Sequence, residues 1–194
     1  MKRAKQIVLD LISNLLPFDS LELQHKDNAA AWVTSGVPIF RIAKPDTPPK
    51  HLVSYFVLFD EKAEEVLLID HINSQLWLPA GGHVEIDEDP QVTVSREARE
   101  ELGVSARFDT VFGSRPLFIT VTKTVGANIH TDVSLWYVIR GDKTKTLTYE
   151  QREMKGYKWW TFRELLDTPV EGFDPYMHRF IQKMQAKLTQ TQTT

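Results

Sequence analysis

The chain has 194 residues, 42% of them hydrophobic and 25% charged, which suits one domain with a sizeable core. A net charge of −3 gives no electrostatic case for binding a nucleic-acid backbone. No apolar run approaches the ~20 residues of a membrane span, so no membrane partner is expected. The lack of cysteine excludes disulfides and thiol chemistry and fits a cytoplasmic protein.

The start, MKRAKQIVLDLISNLL, is basic, but Asp10, Asn14 and the helical spacing, with no small-residue cleavage site, argue against a signal peptide. Ile7, Val8, Leu11, Ile12 and Leu15 predict a helix over 4–16, stopped by Pro17. A second helix is expected over 20–34, capped by Asp19 or Ser20 and ended by Gly36. The segment AKPDTPPK, 43–50, reads as a stiff connector. Residues 1–50 are therefore expected to form a helical extension and connector packed on a main domain, 51–188, with a frayed polar tail at 189–194.

From His51 the period changes. LVSYFVLFD and EVLLID, separated by DEKAE, predict a hairpin, and QLWLPAGG a short strand feeding a glycine turn. ARFDTVFG, PLFITVTKTV and HTDVSLWYVIRG predict three more strands, and MKGYKWW another. In that last strand Trp159 and Trp160 are expected to face opposite ways, one inward and one outward. TFRELL opens a short helix with Thr161 as a candidate cap, and PYMHRFIQKMQAKL predicts a final helix. Strands bracketed by helices imply an α/β (α+β) architecture, a mixed sheet between helical layers.

The stretch LPAGGHVEIDEDPQVTVSREAREELGV, 78–104, breaks local rules. Asp89 as N-cap, Pro90 at the first helical position and Gly103 past the end delimit a helix. On a helical wheel with Val94 at zero, Ala98 falls near ~40° and Leu102 near ~80°, giving the apolar stripe. Glu101 lies near ~340°, Glu97 near ~300° and Glu100 near ~240°, so three carboxylates crowd one side of the last two turns. Like charges at these spacings repel, and the helix C-terminus prefers cations. Arg96 and Arg99 offset part of the repulsion on a solvated acidic face. A hard divalent cation on oxygen ligands would relieve it fully.

Read in full, Gly82, five residues, Glu88, seven residues, then Arg96-Glu97-Ala98-Arg99-Glu100-Glu101-Leu102-Gly103-Val104 resembles the box of the Nudix (MutT-like) hydrolases, with every specified position filled. The resemblance covers Gly82 to Val104; Asp87 stands where many members have glycine, which bears on turn geometry. It implies an α/β/α sandwich and a Mg²⁺-dependent (Mn²⁺ as substitute) hydrolase of a nucleoside diphosphate linked to another moiety, in which water attacks a phosphorus. Nucleoside triphosphates, oxidised nucleotides and NDP-sugars are the expected substrate classes, and the expected assembly is a monomer or homodimer. It also implies that Glu97, Glu100 and Glu101, with the Gly81 carbonyl, hold the metal, and that Arg96 orients a ligand glutamate. Gly82 permits close approach of backbone to a charged ligand, Glu88 is a helix-start partner, Glu85 an outer carboxylate and Gly103 the helix stop. Glu97 and Glu100 are also candidate catalytic groups. For a general base on a later loop, Glu153 is preferred to Glu150. His83, His130 and Asp132 are candidate cleft residues. Phe40, Trp77, Phe118 and Trp136 could stack a base, although core packing is the more common fate of such residues. The alternative is a domain of the same family that senses a nucleotide metabolite without turning it over.

Overall fold

The computed structural model describes residues 2–43, 46–124 and 129–192. Helix α1 spans Lys2–Asn14 and α2 spans Ser20–Thr34, with the Asp19 carboxylate accepting from the backbone N–H groups of Leu21 and Glu22. Residues 44–45 of the expected connector lie outside the described residues.

Seven strands form one sheet among the described residues: β1 (Lys50–Asp60), β2 (Glu65–His71), β3 (Leu76–Leu78), β4 (Ala80–His83), β5 (Phe118–Lys123), β6 (Thr131–Arg140) and β7 (Met154–Thr161). The order is β3-β2-β1-β6-β5, with β4 paired to β1 and β7 to β2. The β1–β2 hairpin is antiparallel as expected, whereas β1 and β6 run parallel from Lys50↔Thr131 to Phe59↔Arg140. That central pairing makes the sheet mixed.

Alternation along β1 and β6 divides the core. Leu52, Phe56, Leu58, Val133, Leu135 and Ile139 share one apolar cluster with Val94, Ala98 and Leu102 of α3 (Pro90–Leu102) and with residues of α1 and α2. Val57, Phe59, Trp136 and Val138 share the other with α4 (Phe162–Asp167) and α5 (Met177–Gln192). The sheet thus lies between helical layers. Thr161 caps α4 through a reciprocal pair with Glu164.

Four expectations are corrected. The glycines after β3 form strand β4 rather than a turn, because Gly81 and Gly82 pair with Tyr55 and Ser54. ARFDTVFG is not a strand: the Asp109 carboxylate accepts from the N–H groups of Val111 and Phe112 and folds the segment, leaving only a bridge from Phe108 to Ile139. Trp159 and Trp160 do face opposite ways, but both sheet faces are covered, so each packs on its own cluster. Helix α5 continues through Thr189 to Gln192, so those residues are helical; Thr193 and Thr194 lie outside the described residues, as does Val125 of the fifth predicted strand.

Helix α5 and the N-terminal helices meet at a buried ion pair. The Glu22 carboxylate, fully buried in α2, receives both Lys183 Nζ contacts at 2.8 and 2.9 Å and the Ile119 N–H at 3.2 Å. Lys183 also donates to the Leu16 carbonyl at 2.6 Å. Nearby, Arg179 pairs with Asp19.

Candidate active site

Helix α3 is seated over β1 and β4 by its own start. Ser54 Oγ on β1 donates to the Pro90 carbonyl at 3.1 Å, and Asp89 caps the helix by accepting from the Gln91 N–H at 2.9 Å. Gly103 ends it in the left-handed conformation, φ 65°, which a side chain rarely adopts. Asp87 sits in the left-handed region too, φ 63°, in the turn before the helix.

The wheel positions become a gradient of burial. Glu101, closest to the apolar stripe, is buried, Glu97 is half-buried, and the Glu100 side chain is 60% exposed. Glu101 accepts from the Gly81 N–H at 2.7 Å, tying the helix to β4. Arg96 is the hub of the site. Its Nε and one terminal nitrogen reach the two Glu88 oxygens, each at 3.1 Å, and that nitrogen also donates to the His83 carbonyl at 3.1 Å. The other terminal nitrogen reaches Glu97 at 2.7 Å and Glu100 at 3.3 Å. A planar fork suits this work, since its donors are fixed relative to one another.

Electrostatics separates these carboxyls. Burial acts to raise Glu88, but the hydrogen bonds from Arg96 and Thr93 outweigh it and hold the group below its ordinary value. Burial raises Glu97 against the pull of Arg96. Glu101 is pushed up to about 8 by burial and by the negative charge of Glu97. Two carboxyls that resist ionisation side by side are the condition a divalent cation relieves.

The site opens into a cleft of about 1450 Å³ bordered by Glu97, Glu100, Glu101, Glu85 and Glu153. Glu153, from the turn before β7, lies near enough for its charge to act on both Glu97 and Glu101. Glu150 does not border the cleft; it accepts from the Arg152 N–H at 3.0 Å, and its own N–H holds the Glu101 carbonyl at 3.0 Å. Glu85 is exposed on the rim, its N–H donating to Glu88. His83, His130 and Asp132 also border the cleft. Of the aromatic candidates, Phe40, Phe118 and Trp136 are core residues, and Trp77 packs edge-on against Trp160. Sequence reading missed Asp46, His51 and Asp174. No spacing signals them; only the parallel β1–β6 register sets His51 opposite Asp132.

A family model described as the NUDIX domain matches residues 49–183. The chain belongs to the Nudix family. No protein of curated function matches its sequence. Among solved structures, a Deinococcus radiodurans protein is 19% identical, with a TM-score of 0.54 over 73% of this chain and 89% of its own. A Nudix-family hydrolase from Clostridium perfringens is 19% identical, with a TM-score of 0.53 over 73% and 97%. An Ap4A hydrolase from C. elegans is 15% identical, with a TM-score of 0.55 over 71% and 97%. At these identities the likeness is one of fold. Family membership with a completely filled box makes this Nudix chain a pyrophosphohydrolase acting on acid anhydrides. No helix among the described residues is long and apolar enough to cross a membrane.

The two box glycines answer differently to a methyl group. A Cβ on Gly82 would lie 2.3 Å from a Glu97 carboxylate oxygen, so the flexible end of Glu97 must swing away. A Cβ on Gly81, at φ 132°, would meet the backbone Ser54 carbonyl at 2.1 Å. Gly82→Ala is therefore expected to lose activity ~10-fold or more with a nearly unchanged Tm. Gly81→Ala is expected to lose ~2 kcal/mol or more of stability. Paired kcat and Tm measurements on both variants check this; equal Tm losses would contradict it.

Asp174, between β7 and α5, gives the chain a pH-dependent stability. Burial and the charge of Asp132 push its carboxyl up to about 7. An unfolded aspartate titrates near ~3.9, so between those values the folded chain binds more protons than the unfolded one. Stability from this group therefore falls as pH rises from about 4 to 7 and is level above. Asp174→Asn is expected to melt higher than the parent at pH 8, by ~2–4 kcal/mol of stability, with the gap closing toward pH 4. A gap that widens on acidification would refute this account.

Proposed function

We propose that this Nudix chain hydrolyses a nucleoside diphosphate linked to another moiety, with Mg²⁺ held by Glu97, Glu100 and Glu101 and the Gly81 carbonyl. One observation carries the reading: Glu97 and Glu101, both raised by burial and by neighbouring negative charge, stand with Glu100 at the wall of a large cleft, and Arg96 bridges Glu97 to Glu100. The donor set fits the ion, since carboxylate and carbonyl oxygens suit a hard cation such as Mg²⁺ or Mn²⁺. When bound, the cation offsets charge on the phosphates and polarises the phosphoryl group.

The chain's own residues supply positioning. Arg96 fixes the rotamer of Glu97 and, through Glu88, locks the turn that carries Asp87 to the helix. Gly82 leaves the space beside Glu97 open. Glu153 borders the same cleft and feels Glu97 and Glu101 electrostatically, which supports it as the base that takes a proton from the attacking water. The fold neighbours named for Ap4A and for dihydroneopterin triphosphate hydrolysis act on phosphoanhydrides, in keeping with this substrate class. The domain division at residues 50 and 188, a cytoplasmic location and a monomeric or homodimeric state belong to the same proposal.

The test is a product-release assay across nucleoside triphosphates, oxidised nucleotides, ADP-ribose, NDP-sugars and dinucleoside polyphosphates. It runs with and without Mg²⁺, with Glu101→Gln as the blank. Metal-dependent release that the variant lacks is the expected result. Silence across the panel, with one compound still raising the Tm, would replace this reading by a metabolite-sensing domain.

A further inference from the structure

A second cluster of ligating side chains lies on the sheet face opposite α3. Asp46 of the connector, His51 at the start of β1, His83 at the end of β4 and His130 just before β6 each offer one ligand atom, and those atoms all lie within 4.8 Å of one another. The His51 ring stacks on His130 with centroids 4.9 Å apart and lies 4.6 Å from His83. Register explains the convergence. His51 pairs with Asp132, while Val53 pairs with both His83 and Ser134, so alternation sends all of these to the face that carries Trp136 further along. The cluster still shares the cleft with the box carboxylates, because His83 and His130 border it.

His51 shows that this is a built site. The side chain is fully buried, and its Nδ1 lies 2.9 Å from the Pro48 carbonyl, so that nitrogen carries the proton and donates. In the neutral ring the lone pair is thereby placed on Nε2, which no hydrogen bond satisfies. Nε2 instead points into the cluster, 3.3 Å from Asp132 Oδ1, an oxygen that also lacks a hydrogen bond and lies 3.2 Å from His130 Nε2. A lone pair against a carboxylate oxygen is repulsive, so either a second ring proton, which the Asp132 charge favours, or a metal cation stands between them. Imidazoles that ligate a metal commonly donate their other N–H to a backbone carbonyl, as His51 does. Dimensions agree as well. Ligands ~2.1 Å from a tetrahedral ion lie ~3.4 Å apart, and His130 Nδ1 lies 3.4 Å from Asp46 Oδ2. Four atoms on a regular tetrahedron of 4.8 Å edge, the upper limit here, lie ~2.9 Å from its centre, so closing by under ~1 Å completes a shell.

We propose that His51, His83, His130 and Asp46 bind a borderline divalent cation of the Zn²⁺ class, with Asp132 set against two of the imidazoles to add negative charge. Imidazole-rich ligation selects such an ion over Mg²⁺, so one cleft holds two sites of different metal preference. The ion ties the connector and the entry to β6 onto β1 and β4, fixing the cleft wall that faces the box.

The test uses the full chain carrying Glu97→Gln and Glu101→Gln, stripped with a chelator, so that failure of this site and failure of the box site are read separately. Titration with Co²⁺ and with Zn²⁺ is expected to show one equivalent bound, visible d–d bands of a four-coordinate cobalt site, and a Tm raised by Zn²⁺ but not by Mg²⁺. His130→Gln is expected to weaken Zn²⁺ binding at least ~10-fold and remove the bands, with Asp46→Asn as the second variant should the first fail to fold. Absence of saturable cobalt bands, or bands that survive both substitutions, would overturn the proposal.

Discussion

Glu101→Gln is expected to lower kcat by ~10³ or more while leaving the melting temperature unchanged or higher, because loss of a charge-stabilising cation costs several kcal/mol at the transition state. The two effects separate because the substitution preserves shape. A glutamine Oε1 can still accept the Gly81 N–H that Glu101 now holds at 2.7 Å, so the link between α3 and β4 survives. The charge is what disappears. In the free chain that charge is unfavourable, since burial and Glu97 push the Glu101 carboxyl up to about 8. A neutral amide relieves Glu97 and suits the buried position, which is why stability holds. The proposed cation, however, loses one of the three carboxylates assigned to it. Saturation kinetics and a thermal melt on the same preparation decide the matter, and near-normal turnover would remove this carboxylate from the chemistry.

Lys183→Met is expected to cost about 3–5 kcal/mol of stability, the usual result of stranding a buried charge. At ~2–4 °C per kcal/mol for a chain of this size, the Tm should fall by ~6–20 °C. Glu22 is fully buried, and burial pushes its carboxyl up and the Lys183 ammonium down. The contacts nevertheless favour the ionised pair, because the Phe18 and Ile119 N–H groups and Lys183 all donate to the two Glu22 oxygens. Removing Lys183 leaves that carboxylate without its counter-charge. Adding Glu22→Gln should then regain ~1–2 kcal/mol, since the amide oxygen still accepts a backbone N–H without carrying charge. Urea midpoints of the parent and the two variants test this, and a Lys183→Met variant as stable as the parent would show the pair to be idle.

The site on α3 was legible because a helix states its geometry in its spacing. Val94, Ala98 and Leu102 located the buried stripe, and the angular distance of each glutamate from it matched the observed order of burial, Glu101 before Glu97 before Glu100. Asp19, Asp89, Thr161 and Gly103 marked helix ends for the same local reason. What local patterns could not carry was pairing between distant strands. Gly81 and Gly82 read as a turn because glycine favours turns, yet β1 offered them partners. ARFDTVFG had strand composition, but Asp109 claimed the N–H groups of Val111 and Phe112 first. His51 meets Asp132 only through the parallel register of β1 with β6, which no run of residues announces.

The Glu22–Lys183 pair also has a bearing on the order of events during synthesis. Its members are 161 positions apart, so at ~5–20 residues per second the second helix leaves the ribosome roughly 8–30 s before its counter-ion exists. Until then, seating that helix against the sheet would bury a lone carboxylate. Docking of α2 is therefore expected to follow the synthesis of α5, which supplies the counter-charge.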